Sequence, residues 1–377
     1  MKETIVKDIS EEIAAIFTRA GIASALALGV SWPGGESDGE PGGGRQWAMR
    51  IFLGRPSPFH DQAVDAATVF DLASLTKVFV TTFCVHKLVC QGKLTFSHQL
   101  GDIFPEFFAK ANPTWRTTPI SQLLNHSAGL PAHRPYFAPL LALPLTKRQD
   151  ALLGLILQEV PQYAPGHDHI YSDLGFMLLG FVIERLSGKS LDSFWRRLAA
   201  EIGVEHLLFF PKDTERSRHV FAETGVCPWS SKILAGTVHD DNCRALGGVS
   251  GHAGLFGTLD GVMAVCDWLL AAWHGTGPEA ALWRQMSTPT PGSSRCLGFD
   301  SPSGPDSASG TYFQAPSIGH LGFTGTSLWI DLRRRISVTL LTNHTFFSWD
   351  REAMRLFRRK IYDCVMQQFE GRPTDRP

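Results

Sequence analysis

The order of strand-like and helix-like segments is the feature that most constrains the fold of this 377-residue chain. The strand-like stretches are rich in β-branched and aromatic residues and cluster near the two ends of the chain. They are residues 24–31, 46–54, 68–72, 317–323, 327–332 and 336–342. The region between the two groups, about 93–245, has the pattern of helix and loop. This order predicts one sheet built from both chain ends, with a helical subdomain inserted between them.

Segments with helical periodicity lie beside the strand-like segments and also occupy the middle of the chain. The predicted helices cover residues 8–19, 75–90, 120–125, 148–159, 174–186, 191–202, 259–273 and 351–369. Gly188 is expected to end one helix, and Ser190 and Thr258 to cap two others. Two stretches rich in glycine and polar residues predict loops, 33–44 and 291–310. We expect a single domain with a sheet subdomain of about 1–75 and 246–377 and a helical subdomain of about 76–245.

The charge balance argues against polyanionic partners. Lys and Arg total 35 and Asp and Glu total 36, for a net charge of -1. Such a chain has no general attraction to nucleic acid or to anionic membranes. An apolar run of about 18 residues, as a membrane span needs, is absent from the sequence. We therefore expect no nucleic-acid partner and no membrane partner.

The cysteines and the first residues predict a cytoplasmic location. The seven cysteines are odd in number and contain no C-x-x-C pair, which indicates reduced thiols rather than a disulfide framework or a zinc site. The opening sequence carries acidic residues where a signal peptide needs an apolar core.

The first candidate site lies where a strand-like segment meets an apolar helix. Ser74 stands at this junction, and Lys77 follows three positions later on the same helical face. A serine hydroxyl needs a base to become a nucleophile. Lysine can serve if burial or a neighbouring positive charge lowers its pKa. Taken alone, S-x-x-K also fits a capping serine and a lysine whose charged end reaches solvent.

The second candidate site precedes another apolar helix. Tyr171 could relay a proton between Ser74 and a leaving group, provided that a nearby lysine stabilises its phenolate. Asp173 could pair with Lys77 and hold it in place. The alternative is that Asp173 only caps the helix and Tyr171 only packs.

The third candidate site is a glycine-rich segment, residues 319–326, expected in a strand. Gly322 would let a substrate approach the backbone, and the Phe323 N–H could join the Ser74 N–H as an oxyanion hole. His320 could bind polar groups of the substrate. The alternative is a crowded or bulged strand.

Together the three segments resemble the family of class C β-lactamases, D-Ala-D-Ala peptidases, D-aminopeptidases and related esterases. That family carries S-x-x-K, then Y-x-N, then K-T-G or a variant such as H-x-G, in this order. Three further stretches resemble family segments: LLNHSAGL at 123–130, LGGVSGHAGLF at 246–256, and GKLT at 92–95 followed by IFPEF at 103–107. The resemblance covers about residues 65–345.

The resemblance implies an α/β (α+β) fold of the β-lactamase/transpeptidase kind. It consists of an antiparallel sheet flanked by helices with an inserted all-helical subdomain, and the site lies between them. It implies Ser74 as the nucleophile that forms an acyl-enzyme, with Lys77 and Tyr171 as proton-transfer partners. The backbone N–H groups of Ser74 and Phe323 would form the oxyanion hole. Neither a metal nor an organic cofactor is implied.

Two residues depart from the family pattern. Asp173 replaces the usual Asn, and a carboxylate cannot donate the hydrogen bond that an amide gives to a substrate carbonyl. His320 replaces the usual Lys, and a mostly neutral imidazole holds a substrate carboxylate less well. Both changes favour neutral or cationic esters, amides or D-aminoacyl compounds, short peptides among them, over β-lactams.

Alternative functions remain at this point. A β-lactamase or a D,D-peptidase acting on cell-wall fragments would keep the chemistry and change the substrate, and an inactive relative would only bind a ligand. A metal hydrolase could use His239, Asp240 and His252, although adjacent ligands lack helical i, i+4 spacing. His252 is expected to bond backbone. The side chains after the 123–130 segment could line the pocket or only pack, namely His133, Tyr136 and Phe137.

Overall fold

The computed structural model describes residues 2–34, 46–212 and 217–370. The strands are β1 (Ala25–Pro33), β2 (Gln46–Gly54), β3 (Phe70–Asp71), β4 (Leu208–Phe209), β5 (Phe256–Gly257), β6 (Ser317–Leu321), β7 (Ser327–Asp331) and β8 (Ile336–Thr342). The first helices are α1 (Lys2–Ala20), α2 (Phe83–Cys90), α3 (Leu100–Ile103), α4 (Ile120–Leu124), α5 (Phe137–Leu141) and α6 (Leu145–Leu157). The remainder are α7 (Asp173–Ser187), α8 (Leu191–Ile202), α9 (Asp241–Ala245), α10 (Leu259–His274), α11 (Gly277–Met286) and α12 (Arg351–Gln367).

Both chain ends contribute to one antiparallel sheet, in the order β2-β1-β8-β7-β6. Strand β1 lies between β2 and β8, so Leu28 faces Ile51 on one side and Leu340 on the other. The predicted class, an antiparallel sheet flanked by helices, is confirmed. A second, small sheet of order β3-β5-β4 lies beside the helical part and leads the chain toward Ser74.

Large and small side chains alternate along β1, so that the large ones lie on one face of the sheet and the small ones on the other. Leu26, Leu28 and Val30 share a core with buried residues of α1 and α12. The small residues between them face α10, since a Cβ on Gly29 would lie 2.3 Å from the sulfur of Met263. The period of two in a strand thus lets one helix lie close to the sheet on one face while bulky side chains fill the other.

The helical region buries its own apolar core, which is continuous with the α10 face of the sheet. Gly188 ends α7 in the left-handed conformation, and the Thr258 hydroxyl accepts a hydrogen bond from the Gly261 N–H at the start of α10, both as predicted. Ser190 occupies the N-cap position of α8, but its hydroxyl bonds Asp192 and Ser193 instead of the backbone. Within the described residues, none of the helices is long and apolar enough to cross a membrane.

Three features differ from the sequence-based expectations. The strand predicted over 317–323 ends at Leu321, because the chain turns at Gly322 and Phe323. The helix predicted over 75–90 contains a π-helical segment, Lys77–Thr82. The helices α3, α5, α9 and α11 were not expected. Most of the loop predicted at 33–44 lies outside the described residues, and the subdomain boundaries stay predictions.

Candidate active site

A strained backbone turn presents Ser74 between β3 and the following helix. Ala73, the preceding residue, has a φ of 47°, a left-handed conformation that costs energy for a residue with a Cβ. The buried Asp71 carboxylate holds this turn by accepting hydrogen bonds from the N–H groups of Ala73, at 2.9 Å, and His239, at 2.7 Å. Burial raises the pKa of Asp71 to about 6. Asp71 was not singled out from the sequence, although an Asp two residues before a turn N–H is an Asx-turn signal.

Lys77 is fully buried and touches the candidate nucleophile. Its Nζ donates hydrogen bonds to Ser74 Oγ at 2.9 Å, to Asp173 Oδ1 at 2.8 Å and to the carbonyl oxygen of His252 at 3.0 Å. The three N–H donors of an ammonium group are therefore all used. The geometry brings Ser74, Lys77 and Asp173 together, as the sequence suggested.

The charge state of Lys77 differs from the expectation. Burial is the largest single influence and would lower the pKa of Lys77, but Asp173 and Tyr171 together outweigh burial and raise that pKa above its usual value. In turn Lys77, together with His133, holds the pKa of Asp173 well below its usual range although burial opposes this. The resting pair is consequently an ammonium and a carboxylate, and Ser74 Oγ accepts a hydrogen bond from a charged lysine.

Of the three side chains considered for the pocket, His133 reaches the site. Its Nδ1 lies 3.5 Å from Asp173 Oδ2, and half of the side chain is exposed. The Tyr136 hydroxyl instead donates to Glu159 at 2.7 Å, and the Phe137 ring stacks on Trp229. Tyr136 and Phe137 therefore have packing roles.

Tyr171 and His320 meet beside Lys77. The Tyr171 ring centroid lies 5.0 Å from Lys77 Nζ and 5.8 Å from the His320 ring. Burial raises the pKa of the Tyr171 hydroxyl, with Lys77 opposing this rise. The Tyr171 hydroxyl lies near enough to Ser74 and Lys77 for them to influence its pKa, yet it makes no hydrogen bond of ordinary geometry within the described part of the chain.

His320 is buried and neutral at pH 7. Burial lowers the pKa of its imidazole to about 4. With Nδ1 protonated, the ring donates to the Leu321 carbonyl at 2.9 Å, which leaves Nε2 as an acceptor. Among the described residues, Nε2 has no hydrogen-bond partner.

Arg295 is a site residue that sequence reasoning missed. It lies in the stretch interpreted only as a polar loop, and its guanidinium carbon is 5.4 Å from the Tyr171 ring centroid. Its charge is paired with Asp300, whose backbone exchanges two hydrogen bonds with Gly319. The antiparallel bridge from Asp300 to Gly319 explains why Arg295 lies beside His320, since it joins the loop to β6.

The turn after β6 lies against the segment that leads to Ser74. Thr324 Oγ1 donates to the Asp71 carbonyl at 2.7 Å, and Thr326 Oγ1 donates to the Leu72 carbonyl at 3.1 Å. A Cβ on Gly322 would lie 2.0 Å from Thr326 Oγ1 and 3.0 Å from the Leu72 carbonyl oxygen. Gly322 is therefore required by the packing of two chain segments, which fits the alternative of a crowded strand, and its role in admitting substrate stays a prediction.

Two backbone N–H groups of the joined segments are available, one at Ser74 itself and one at Phe323 in the turn that packs against the residues before Ser74. Neither the Ser74 N–H nor the Phe323 N–H donates a hydrogen bond to another residue in the described ranges. Donors without a protein partner beside a nucleophile are what an oxyanion hole requires.

A buried network supports the carbonyl group that holds Lys77. His252 Nδ1 lies 2.8 Å from Ser250 Oγ, and His252 Nε2 lies 2.9 Å from Asp240 Oδ1. The expectation that His252 bonds backbone is wrong for its side chain, because a carboxylate and a hydroxyl hold it. The His239 ring faces Phe323 and Trp349 instead. Over residues 2–34, 46–212 and 217–370, no three His, Cys, Asp or Glu side chains converge as a metal-ligand set would.

Comparison with protein families gives one match over most of the chain. The family model described as Beta-lactamase matches residues 42–363. The chain is similar to a putative D-alanyl-D-alanine carboxypeptidase of Escherichia coli strain K12, at 30% identity over 311 residues, which are 75% of this chain and 71% of that protein. It is also similar to an N-acetylmuramyl-L-alanine amidase of Bacillus subtilis strain 168, at 29% identity over 316 residues, covering 73% and 68% of the two chains.

Solved structures share the fold at lower sequence identity. EstCE1, described as a hydrolase with promiscuous acyltransferase activity, superposes with a TM-score of 0.70 and 20% identity. The match covers 96% of this chain and 99% of that chain. At this identity the likeness establishes the fold alone.

Proposed function

Since the chain belongs to the β-lactamase family and is a serine hydrolase of that family, we propose that it cleaves ester or amide substrates through an acyl-enzyme on Ser74. The contact that carries this proposal is the 2.9 Å hydrogen bond between Ser74 Oγ and the buried Lys77 Nζ. The strained turn at Ala73 and the two available N–H groups support it.

The proposed reaction starts from the form with neutral Lys77, which accepts the Ser74 proton as Oγ bonds to the substrate carbonyl carbon. The carbonyl oxygen becomes an oxyanion and accepts hydrogen bonds from the Ser74 and Phe323 N–H groups. Proton transfer to the leaving oxygen or nitrogen, with Tyr171 as the relay, accompanies the breaking of its bond to carbon. Water then cleaves the acyl-enzyme and returns the proton to Ser74.

The proposed substrates are small esters, amides or short peptides. A second candidate, a D,D-peptidase acting on cell-wall fragments, is favoured by the names of the relatives, a carboxypeptidase and an N-acetylmuramyl-L-alanine amidase. The cytoplasmic location, the absence of nucleic-acid partners and the roles given to Tyr171, Asp173, His320 and Phe323 stay predictions.

Ser74→Ala is expected to abolish both ester hydrolysis and labelling by a fluorophosphonate, because the change removes the attacking oxygen. Ser250→Ala is the control, since the Ser250 hydroxyl lies 2.8 Å from a histidine that is paired with an aspartate and could be mistaken for the nucleophile. The measurement is mass spectrometry of the labelled peptide together with turnover of p-nitrophenyl acetate.

Ser250→Ala should keep the label at Ser74. A label on Ser250, or wild-type turnover by Ser74→Ala, would contradict the assignment. Activity that is lost in EDTA and restored by a divalent metal would revive the metal-hydrolase alternative.

A further inference from the structure

Three aromatic rings form an open corner beside the candidate nucleophile. We call Phe323, Trp349 and His239 the aromatic corner. The ring centroids of Phe323 and Trp349 are 5.6 Å apart with nearly perpendicular planes, at 89°. The His239 ring lies 5.7 Å from Phe323 and 5.8 Å from Trp349. Each ring therefore contacts the other two at ordinary aromatic distances.

Two of these rings are attached to the segment that carries Ser74. The His239 N–H donates to Asp71 Oδ2, while the other oxygen of this carboxylate holds the Ala73 N–H. Phe323 lies in the turn that Thr324 fastens to the Asp71 carbonyl. The backbone of Phe323 is also the proposed second donor of the oxyanion hole. The corner is thus built on the same backbone that positions the reacting groups.

The corner leaves much apolar surface in water. Trp349 is 69% exposed and Phe323 is 42% exposed. Exposed apolar area is unfavourable relative to buried apolar area, so adjoining exposed rings near a candidate site indicate a surface that a ligand covers. Packing alone accounts less well for this arrangement, because a ring that served only to cover Asp71 would itself be buried.

The charge around the aromatic corner restricts which kinds of ligand can bind there. Burial lowers the pKa of His239 to about 4, so that ring is neutral at pH 7. The Arg351 guanidinium carbon lies 5.8 Å from the Phe323 ring centroid and places a positive charge there. A cationic group would be repelled by this charge, whereas a flat ring without a positive charge can pack against Trp349 and Phe323 in edge-to-face or offset geometry.

We propose that the aromatic corner is a subsite that binds an aromatic group without a positive charge, attached to the scissile carbonyl on either its acyl or its leaving-group side. This inference deepens the proposed function and rests on Ser74 as the nucleophile. It adds a specificity that the family match does not provide.

The test measures kcat/KM for two pairs of esters with wild type and Trp349→Ala. The acyl pair is p-nitrophenyl acetate and p-nitrophenyl phenylacetate, and the leaving-group pair is ethyl acetate and phenyl acetate. Intrinsic reactivity cancels, because each ester is compared with itself in the two proteins. Trp349→Ala should lower kcat/KM for the added-ring member of one pair about three- to tenfold more than for its partner.

Two controls separate recognition from folding. Trp349→Phe retains a ring and should recover most of the lost kcat/KM. Leu356→Ala removes another exposed apolar side chain, on α12, and should change both members of each pair equally. The pair that responds identifies whether the corner binds the acyl or the leaving group.

An equal loss for ring-bearing and ring-free esters would overturn the subsite. Failure of the proposed function can be distinguished from failure of the subsite. If Ser74 is not the nucleophile, Ser74→Ala keeps activity, regardless of the effect of Trp349→Ala. If another residue is the nucleophile, the Ser74 assignment falls, and the subsite, which rests on it, falls as well.

Discussion

At the scale of single residues, the pair of Lys77 and Asp173 sets the protonation state of the site. A carboxylate 2.8 Å from the ammonium is a stronger partner than the amide that the family pattern places there. The pair is buried on the Lys77 side, so water screens it little. The proposed base is therefore charged in the resting enzyme. Only the molecules in which Lys77 is neutral can accept the Ser74 proton and react.

Asp173→Asn is expected to shift the rising limb of the pH profile of kcat/KM to lower pH. Asp173 raises the pKa of Lys77, so its removal lowers that pKa and neutral lysine forms earlier as the pH rises. The shift should be about one to three pH units, the usual effect of one nearby opposite charge. The measurement is p-nitrophenyl acetate hydrolysis across pH, restricted to conditions where circular dichroism shows a folded protein.

The matched control for this profile is Asp61→Asn, because that side chain is almost fully exposed. Its profile should match that of wild type. An Asp173→Asn profile with an unmoved rising limb would show that Lys77 is not the group whose deprotonation limits the reaction.

At the scale of elements, a glycine contact brings the 246–256 segment onto α7. A Cβ on Gly251 would lie 2.1 Å from the Phe176 carbonyl oxygen and 2.9 Å from the Gly180 nitrogen, both backbone atoms that cannot move alone. Thr81 Oγ1 donates to the Gly251 carbonyl in the same place. The close approach places the next carbonyl, that of His252, within 3.0 Å of Lys77 Nζ.

Gly251→Ala should therefore destabilise the protein by about 1–3 kcal/mol, the usual cost of overpacking, and reduce kcat. Displacing the His252 carbonyl removes one of the three acceptors of Lys77. The measurements are the free energy of unfolding in urea and ester turnover. The matched control is Gly154→Ala on α6, where a Cβ would have nothing within 4 Å.

Gly154→Ala should leave turnover unchanged and stabilise the protein by about 0.5–1 kcal/mol, because alanine replaces glycine inside a helix. Equal stability and turnover for Gly251→Ala and wild type would show that this contact does not determine the position of the His252 carbonyl.

At the scale of the whole molecule, the site combines groups from distant parts of the chain. Ser74 and Lys77 follow β3, Asp173 begins α7, and His320 lies on β6. The charges that meet there are matched, since Lys77 pairs with Asp173 and Arg295 pairs with Asp300. The neutral His320 adds no cation for a substrate carboxylate.

We expect measurable hydrolysis of short-chain p-nitrophenyl esters and weak turnover of penicillins. A penicillin carries a carboxylate beside its reactive amide, and the two cations that meet beside Tyr171, Lys77 and Arg295, already have anionic partners. Asp300→Asn frees the Arg295 guanidinium and should raise kcat/KM for penicillin by about tenfold or more, the scale of a charge-assisted hydrogen bond. The gain should shrink in high salt.

The comparison is kcat/KM for an ester and for a penicillin on one preparation, with melting temperature as the check on folding. Efficient penicillin hydrolysis by wild type without esterase activity would reject this substrate class and favour the β-lactamase or peptidase alternatives.

Local patterns were enough to predict the sheet strands, the long helices and the pair of Ser74 and Lys77. Strand alternation and helical periodicity are properties of a few neighbouring residues, and Lys77 shares a helical face with Ser74 through a spacing of three. The caps at Gly188 and Thr258 were predictable for the same reason. The helices α3, α5 and α9 were not, because four or five residues carry little periodic signal, and the ten-residue helix α11 was missed as well.

Only the tertiary structure decided the electrostatics of the site. Asp173 is 96 positions from Lys77, and the sequence could suggest their contact but not whether burial or the carboxylate would dominate the lysine pKa. Arg295 reaches Tyr171 because Asp300 pairs with β6, and His239 reaches Phe323 because Asp71 holds both segments. Distances between segments far apart in the chain set these energies, and such distances are fixed by packing, which no local pattern contains.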